Sequence, residues 1–222
     1  MKRLWVILII ILVGILLLVA GVYYFMFKND SDDCISEIDG VPVNEIPMYG
    51  NIKNCDYLNE VDQTFIQEVI KGNESLRRVG SMTFSIYAWD FYNSGDSKTA
   101  IKRFNQAWLL NPENYQPFWG FGVYLANQEN YTGAIDMLNR ALELYEKDDQ
   151  RDFFNLLLGG ENLTIEQREY ISSLGGTEGF GYASISCDLA LVYSLKGDKQ
   201  KAIDLINKIT NNQTSLKPKK CY

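Results

Sequence analysis

A 34-residue period in the middle of this 222-residue chain constrains its fold more than any other feature of the sequence. Five or six of seven fixed positions keep a small or a bulky apolar residue, and in the first unit the seven are Ala88, Phe91, Gly95, Ala100, Phe104, Ala107 and Pro112. The second unit has, 34 residues later, Gly122, Leu125, Glu129, Ala134, Leu138, Ala141 and Glu146. The pattern returns after a further 68 residues at Ala190, Tyr193, Gly197, Ala202, Ile206 and Ile209. Such a period predicts stacked units that bury their core against one another.

Each unit is predicted to be two helices joined by a short turn. Segments 81–93 and 99–110 carry apolar residues at helical spacing, and small residues in both helices allow them to approach closely. Gly95-Asp96 supplies the turn and then the N-cap of the second helix, as Gly197-Asp198 does in the last unit. Asn111-Pro112 ends the first unit, because proline cannot continue a helix.

This pattern resembles the tetratricopeptide repeat, which has the same 34-residue period. The resemblance implies an all-α helical-repeat solenoid over 81–210, with recognisable units at 81–114, 115–148 and 183–210. The vacant slot 149–182 has the length of one unit, and the capping box Thr164-Ile165-Glu166-Gln167 opens a helix within it. We therefore expect a fourth, degenerate helix pair there, in a continuous stack.

A capping region at 59–80 is expected to cover the first unit of the stack. Its helix, Glu60–Lys71, is predicted to turn four apolar residues inward, namely Val61, Phe65, Val69 and Ile70. A short tail, 211–222, follows the last unit.

The first 28 residues are predicted to be a transmembrane signal-anchor. Segment 4–27 carries no charge and would be about 36 Å long as a helix, enough to cross a hydrocarbon core of about 30 Å. Lys2 and Arg3 precede it, so the N-terminus is expected to be cytoplasmic and the rest extracytoplasmic, periplasmic or at the cell surface in a bacterium. A cleaved signal peptide, ending at Val19-Ala20-Gly21, is the alternative. A loop-rich linker, 29–58, would follow the anchor.

The cysteines suit an exported chain. Cys34, Cys55, Cys187 and Cys221 all follow the apolar segment, and an even number of cysteines in an exported protein predicts two disulfides. The local pairing, Cys34 with Cys55 and Cys187 with Cys221, is the simplest of three. No metal site is predicted, because the chain has no histidine and no CxxC spacing.

Composition and motifs argue against several classes of function. The chain has 28 acidic and 21 basic residues, whereas a nucleic-acid binder needs a basic face. Without histidine, the chain cannot form a Ser-His-Asp or Cys-His catalytic pair. The glycine-rich segment 176–181 lacks the Gly-Lys-Ser/Thr ending of a phosphate-binding loop. We therefore expect no catalytic residue and no cofactor.

The resemblance places a binding surface on the first helix of each pair, which lines the concave, peptide-binding face in tetratricopeptide proteins. The corresponding residues here are Ser85, Trp89, Tyr92, Asn93, Gln116, Trp119, Val123, Asn127, Cys187, Leu191 and Ser194. An aromatic groove with amide rims favours an extended apolar or proline-containing segment. Alternatively, Trp89 and Trp119 pack between adjacent helices, and both interpretations stay open at this point.

The sequence thus predicts a membrane-anchored extracytoplasmic adaptor, attached through residues 4–27, that binds a protein or peptide and has no catalytic activity. One alternative is an envelope enzyme, or a subunit of one, with Glu161, Glu166 and Glu169 as candidate carboxylates on a helical scaffold. The other is a structural protein that associates with a second copy of itself at the open C-terminal end of the stack. The sequence identifies neither the partner nor the oligomeric state.

Overall fold

The computed structural model describes position 5 and residues 13–22, 36–51, 56–147 and 181–212. Over these residues the fold is helical apart from one short hairpin, in which β1 (Glu37–Ile38) pairs antiparallel with β2 (Val41–Pro42). A 3-10 turn, Val43–Glu45, follows the hairpin, and the segment Pro47–Asn51 after it has left-handed φ values at Met48, Tyr49 and Gly50. The helices of 56–147 and 181–212 are α1 (Asp56–Ile70), α2 (Leu76–Asn93), α3 (Ser97–Leu110), α4 (Tyr115–Asn127), α5 (Tyr131–Lys147), α6 (Tyr182–Lys196) and α7 (Lys199–Asn212).

Consecutive helices pack as pairs, α2 with α3, α4 with α5, and α6 with α7. In the turn before α3, Gly95 has a φ of +90°, and the Asp96 side chain caps the helix by accepting a hydrogen bond from the Thr99 N–H at 3.0 Å. Gly197 has a φ of +96° in the turn before α7. The predicted all-α class, helix pairs and glycine turns are confirmed here, although α2 begins at Leu76 rather than at position 81.

The pairs also pack on one another. Helix α4 contacts α3 and α2, and α6 contacts α5 and α4. The third described pair therefore contacts the second through its first helix, as the second contacts the first. The predicted degenerate pair at 149–182 lies outside the described residues except for its last two positions, and it stays a prediction. The direct contact of α5 with α6 makes the second and last recognised units neighbours.

The core lies between the pairs and depends on close approach at two glycines of α4. Phe104, Phe121 and Leu138 are fully buried. Gly120 lies against the ring of Phe104, and a Cβ added at Gly122 would come within 2.6 Å of Leu138 Cγ. Small residues at these contacts therefore set the distance between α4 and its neighbours.

Helix α1 covers α2 and α3, as expected for a cap. Ile66 and Ile70 are buried together with Leu110. The partly buried residues packed around them are Phe65, Val69 and Phe84. The prediction for Val61 was wrong, because this side chain is 46% exposed and the adjacent Asp62 faces the body instead. Neighbouring residues of a helix lie about 100° apart around its axis, so only one of the two can face inward.

Residues 36–51, which we call the strap, lie on α3. Asn105 holds the strap, since its Oδ1 accepts a hydrogen bond from the Met48 N–H at 2.8 Å and its Nδ2 donates to the carbonyls of Asn44 and Ile46. Tyr49 Oη also donates to Asp62 Oδ1 at 3.0 Å. These bonds hold Met48 and Tyr49 at φ values of 48° and 54°, a left-handed conformation that costs about 1 kcal/mol or more per residue. Part of the predicted loop-rich linker is thus an ordered attachment to the body.

Residues 13–22 form a helical segment with exposed apolar side chains, among which Leu17 and Leu18 are 69% and 70% exposed. Among the described residues, no helix combines the length and apolar character needed to cross a membrane. Much of the predicted anchor, 4–27, lies outside those residues, so the anchor stays a prediction.

Candidate binding surface on the first helices

Four residues that were predicted to line the groove are instead buried between helices. They are Ser85, Trp89, Gln116 and Trp119. The rings of Trp89 and Trp119 lie with centroids 4.7 Å apart and join α2 to α4, and Trp89 also meets Phe104 edge-on at 5.2 Å. Large aromatic side chains contribute most when their area is buried in this way. For the two tryptophans, the structure favours the alternative of packing between helices, and a bound segment would not contact Ser85 or Gln116.

The remaining predicted residues lie at the surface. Asn93 and Asn127 are exposed, Tyr92 and Val123 are partly exposed, and Leu191 is 54% exposed. Asn127 Nδ2 donates a hydrogen bond to Tyr92 Oη, which links α4 to α2 at the surface. Trp119, Val123 and Asn127 follow one another at intervals of four residues and therefore form one stripe along α4.

Asp188 is a residue of this surface that the sequence analysis missed. It precedes Leu191 by three positions on α6, so the two lie on the same side of the helix. Its Oδ2 accepts a hydrogen bond from Trp119 Nε1 at 2.6 Å. A line of contacts thus runs from Trp89 through Trp119 to Asp188 and crosses α2, α4 and α6. We call the surface beside this line the first-helix face; it consists of Tyr92, Asn93, Val123, Asn127, Asp188 and Leu191.

Burial governs the electrostatics of the face. Burial raises the pKa of the Asp188 carboxyl, and the hydrogen bond from Trp119 offsets part of this effect. The pKa of Tyr92 is also raised, first by burial and then by the nearby charge of Asp188. Holding this carboxylate in its charged form therefore costs the folded state free energy.

Asp188 has no ion-pair partner in the described parts of the chain, unlike several other acids there. Glu45 is paired with Lys98 and Lys102, and Glu143 with Lys147. The lysine at the end of α6, Lys196, donates instead to Thr132 Oγ1 at 3.0 Å. The first-helix face thus presents a carboxylate whose charge is not compensated.

A buried polar cluster positions α4, and hence the face, against the first pair. Asn114 Nδ2 donates hydrogen bonds to Ser81 Oγ at 2.8 Å and to Ser85 Oγ at 3.2 Å, while its Oδ1 caps α4 by accepting from the Gln116 N–H at 3.0 Å. Ser81 Oγ in turn donates to the Ala107 carbonyl at 2.7 Å. The side chains of Ser81, Ser85 and Asn114 are all buried, so these bonds are shielded from water.

The cysteine beside Asp188 is the one cysteine within the described residues. Cys187 is disulfide-bonded. Cys34, Cys55 and Cys221 lie outside the described residues, so the pairing stays a prediction. The candidate carboxylates Glu161, Glu166 and Glu169 lie outside them as well.

Comparison with protein-family models, curated proteins and solved structures finds no match to this chain. The described residues contain no group of three or more acidic, cysteine or histidine side chains that could hold a metal ion. The features that indicate a function are therefore the first-helix face and the sequence patterns described above.

We expect Asp188→Asn to raise the melting temperature at pH 7. The amide still accepts a hydrogen bond from Trp119 but carries no charge. Folding raises the pKa of Asp188, so protonation of this carboxyl stabilises the folded state. That stabilisation is complete below the pKa of the unfolded state and is lost as the pH rises through the pKa of the folded state. The advantage of the variant should accordingly shrink as the pH falls from 7 towards 4, as followed by thermal unfolding with circular dichroism.

Asp136→Asn is the matched control, because Asp136 is exposed on α5. Its melting temperature should follow that of the parent protein at each pH. An Asp188→Asn variant that is less stable than the parent at pH 7 would contradict the prediction.

Proposed function

We propose that this protein is a membrane-anchored extracytoplasmic adaptor that binds an extended protein segment on the first-helix face. The observation that carries the proposal is a set of two contacts, the ring contact of Trp89 with Trp119 and the hydrogen bond of Trp119 to Asp188. These contacts join the first helices of three pairs, and exposed residues lie next to them on the same helices. This surface combines apolar side chains, the exposed Leu191 and the partly exposed Val123, with the exposed amides of Asn93 and Asn127, and protein interfaces combine apolar and polar groups in this way. A preformed surface of this kind loses little conformational entropy on binding.

The described pairs are proposed to belong to a helical-repeat solenoid of the tetratricopeptide kind. The support is twofold. Helix α6 packs on α4 and α5 in the manner in which α4 packs on α2 and α3. The small residues of the 34-residue period, such as Ala88, Ala100 and Ala134, are fully buried where helices meet.

The membrane part of the proposal is supported by the uncharged segment 4–27 and by the helical residues 13–22. Apolar side chains such as Leu16, Leu17 and Leu18 are more than half exposed on that helix. Transfer of this surface into lipid would be favourable by about 25 cal/mol per Å². The anchor would hold the adaptor, and any bound partner, at the membrane.

Photo-crosslinking in cells tests the adaptor function. A photoreactive amino acid replaces Leu191, and the same replacement at the exposed Asp136 on α5 is the control. We expect a discrete protein adduct from position 191 and none from 136. Absence of an adduct from 191, 123 and 127, with the protein intact and abundant, would contradict the proposal.

Self-association is a second candidate, because α7 presents two exposed apolar side chains, Ile203 and Ile206. An adduct with the mass of two chains, formed from a photoreactive amino acid at position 203, would favour it. An adduct with a different protein would favour the adaptor.

A further inference from the structure

We propose that the first-helix face selects a segment carrying a lysine or arginine, and that Asp188 receives this basic side chain. The inference rests on the proposed function, since it names what the same surface would recognise. It specifies a basic side chain in the bound segment, which neither the repeat pattern nor the aromatic residues alone would predict.

Charge is the first argument. Asp188 is the one charged residue among the six that form the face, and it is only partly exposed. Its Oδ2 receives the Trp119 Nε1–H, whereas its Oδ1 accepts no hydrogen bond from any described residue. A carboxylate that is partly buried and unpaired is costly, and a cation at Oδ1 would remove that cost.

The aromatic surroundings are the second argument. Trp119 holds the carboxylate in one orientation through its indole N–H, and Trp89 packs against Trp119 from the other side. Tyr92, which meets Trp89 edge-on at 5.9 Å, is close enough for the Asp188 charge to affect its pKa. A bound lysine or arginine side chain would form charge-assisted hydrogen bonds to the carboxylate and a favourable contact with the partly exposed ring of Tyr92.

The neighbouring residues define what would flank the basic side chain. Leu191 lies about one helical turn from Asp188, and Val123 lies about one turn from Trp119. Both are apolar, and neither is buried. The preferred segment would therefore place apolar residues next to its lysine or arginine, and an acidic residue at the same position would be repelled.

Peptide pools with one fixed position test the inference directly. The full-length chain, solubilised in a neutral detergent, is titrated with fluorescent nine-residue pools that are random except for a central arginine, lysine, glutamine or glutamate. We expect the parent protein to bind the arginine and lysine pools about tenfold more tightly than the glutamine pool. Asp188→Asn should lose this preference, so that it binds the arginine, lysine and glutamine pools with similar affinity, whereas the control Asp136→Asn should keep the preference.

The possible outcomes separate this inference from the proposed function. Binding of all pools without preference, or an unchanged preference in Asp188→Asn, would overturn the role of Asp188 and leave the adaptor function standing. Binding of no pool by the parent would count against both. If Asp188→Asn does not fold, salt provides a second measurement on the parent. Affinity for the basic pools should then fall as salt rises and affinity for the glutamine pool should not, and the absence of this difference would overturn the inference.

Discussion

Gly120→Ala is expected to destabilise the protein by about 3 kcal/mol, because a Cβ at this position overlaps the ring of Phe104. Phe104 is fully buried and is enclosed by Trp89 at 5.2 Å and Phe121 at 6.0 Å, so its ring has no room to move away. The better helix propensity of alanine recovers only about 1 kcal/mol of this cost. Chemical denaturation of the two proteins, followed by circular dichroism, measures the difference.

Gly133→Ala provides the matched control on α5. Its added Cβ would lie 3.1 Å from the nearest atom, which belongs to the exposed side chain of Asn130. This side chain accepts a hydrogen bond from the Gly133 N–H at 3.1 Å and needs to shift by only a few tenths of an ångström, so the cap is weakened at most. We expect its free energy of unfolding to stay within about 1 kcal/mol of the parent value. Equal stability of the Gly120 and Gly133 variants would show that α4 does not approach α3 as closely as described.

The second large effect is expected at Asn114, where replacement by alanine should cost about 3 kcal/mol. The change removes the cap of α4, worth about 1 kcal/mol, and withdraws the amide donor from two buried hydroxyl groups, those of Ser81 and Ser85. The expected loss exceeds that of an ordinary helix cap because these hydroxyl groups have no water to replace the donor. The measurement is again the free energy of unfolding.

Two variants separate the contributions at Asn114. Asp96→Ala removes an exposed cap of α3, in which Asp96 Oδ1 accepts from the Thr99 N–H at 3.0 Å, and should cost only about 1 kcal/mol. Asn114→Ser keeps a capping oxygen but cannot reach both serines, so it should retain most of the destabilisation. A loss at Asn114→Ala no larger than that at Asp96→Ala would mean that the buried cluster contributes little to stability.

The sequence predicts the local parts of this fold well, for reasons visible in single residues. Gly95 and Asp96 specify a left-handed turn and a cap within four residues of chain, and the structure has both. The period likewise places buried small residues such as Ala88 and Ala100 at the helix contacts. These features depend on neighbours that are close in sequence or one repeat away.

The candidate site was harder to predict because its key contact is distant in sequence. Trp119 and Asp188 are 69 positions apart, and their hydrogen bond exists because α6 packs directly on α4 and α5. Assigning groove residues from their positions in a repeat pattern also does not distinguish a side chain that lines the groove from one that is buried between helices. Four residues placed on the surface by that assignment are therefore in the core, and the one carboxylate of the face was overlooked.

In a chain anchored as proposed, the strap would also limit how far the proposed binding surface can stand from a bilayer. Eight residues, 28–35, lie between the end of the apolar segment at 27 and the start of the strap at 36. A chain anchored as proposed therefore spans at most about 32 Å over the nine Cα–Cα steps between those two positions. Asn105 binds the strap to the first helix pair through hydrogen bonds. While those bonds persist, the strap cannot extend and lengthen the connection to the membrane. A captured protein would be confined to a thin layer above the lipid, where its effective concentration for a second membrane-bound component reaches the millimolar range.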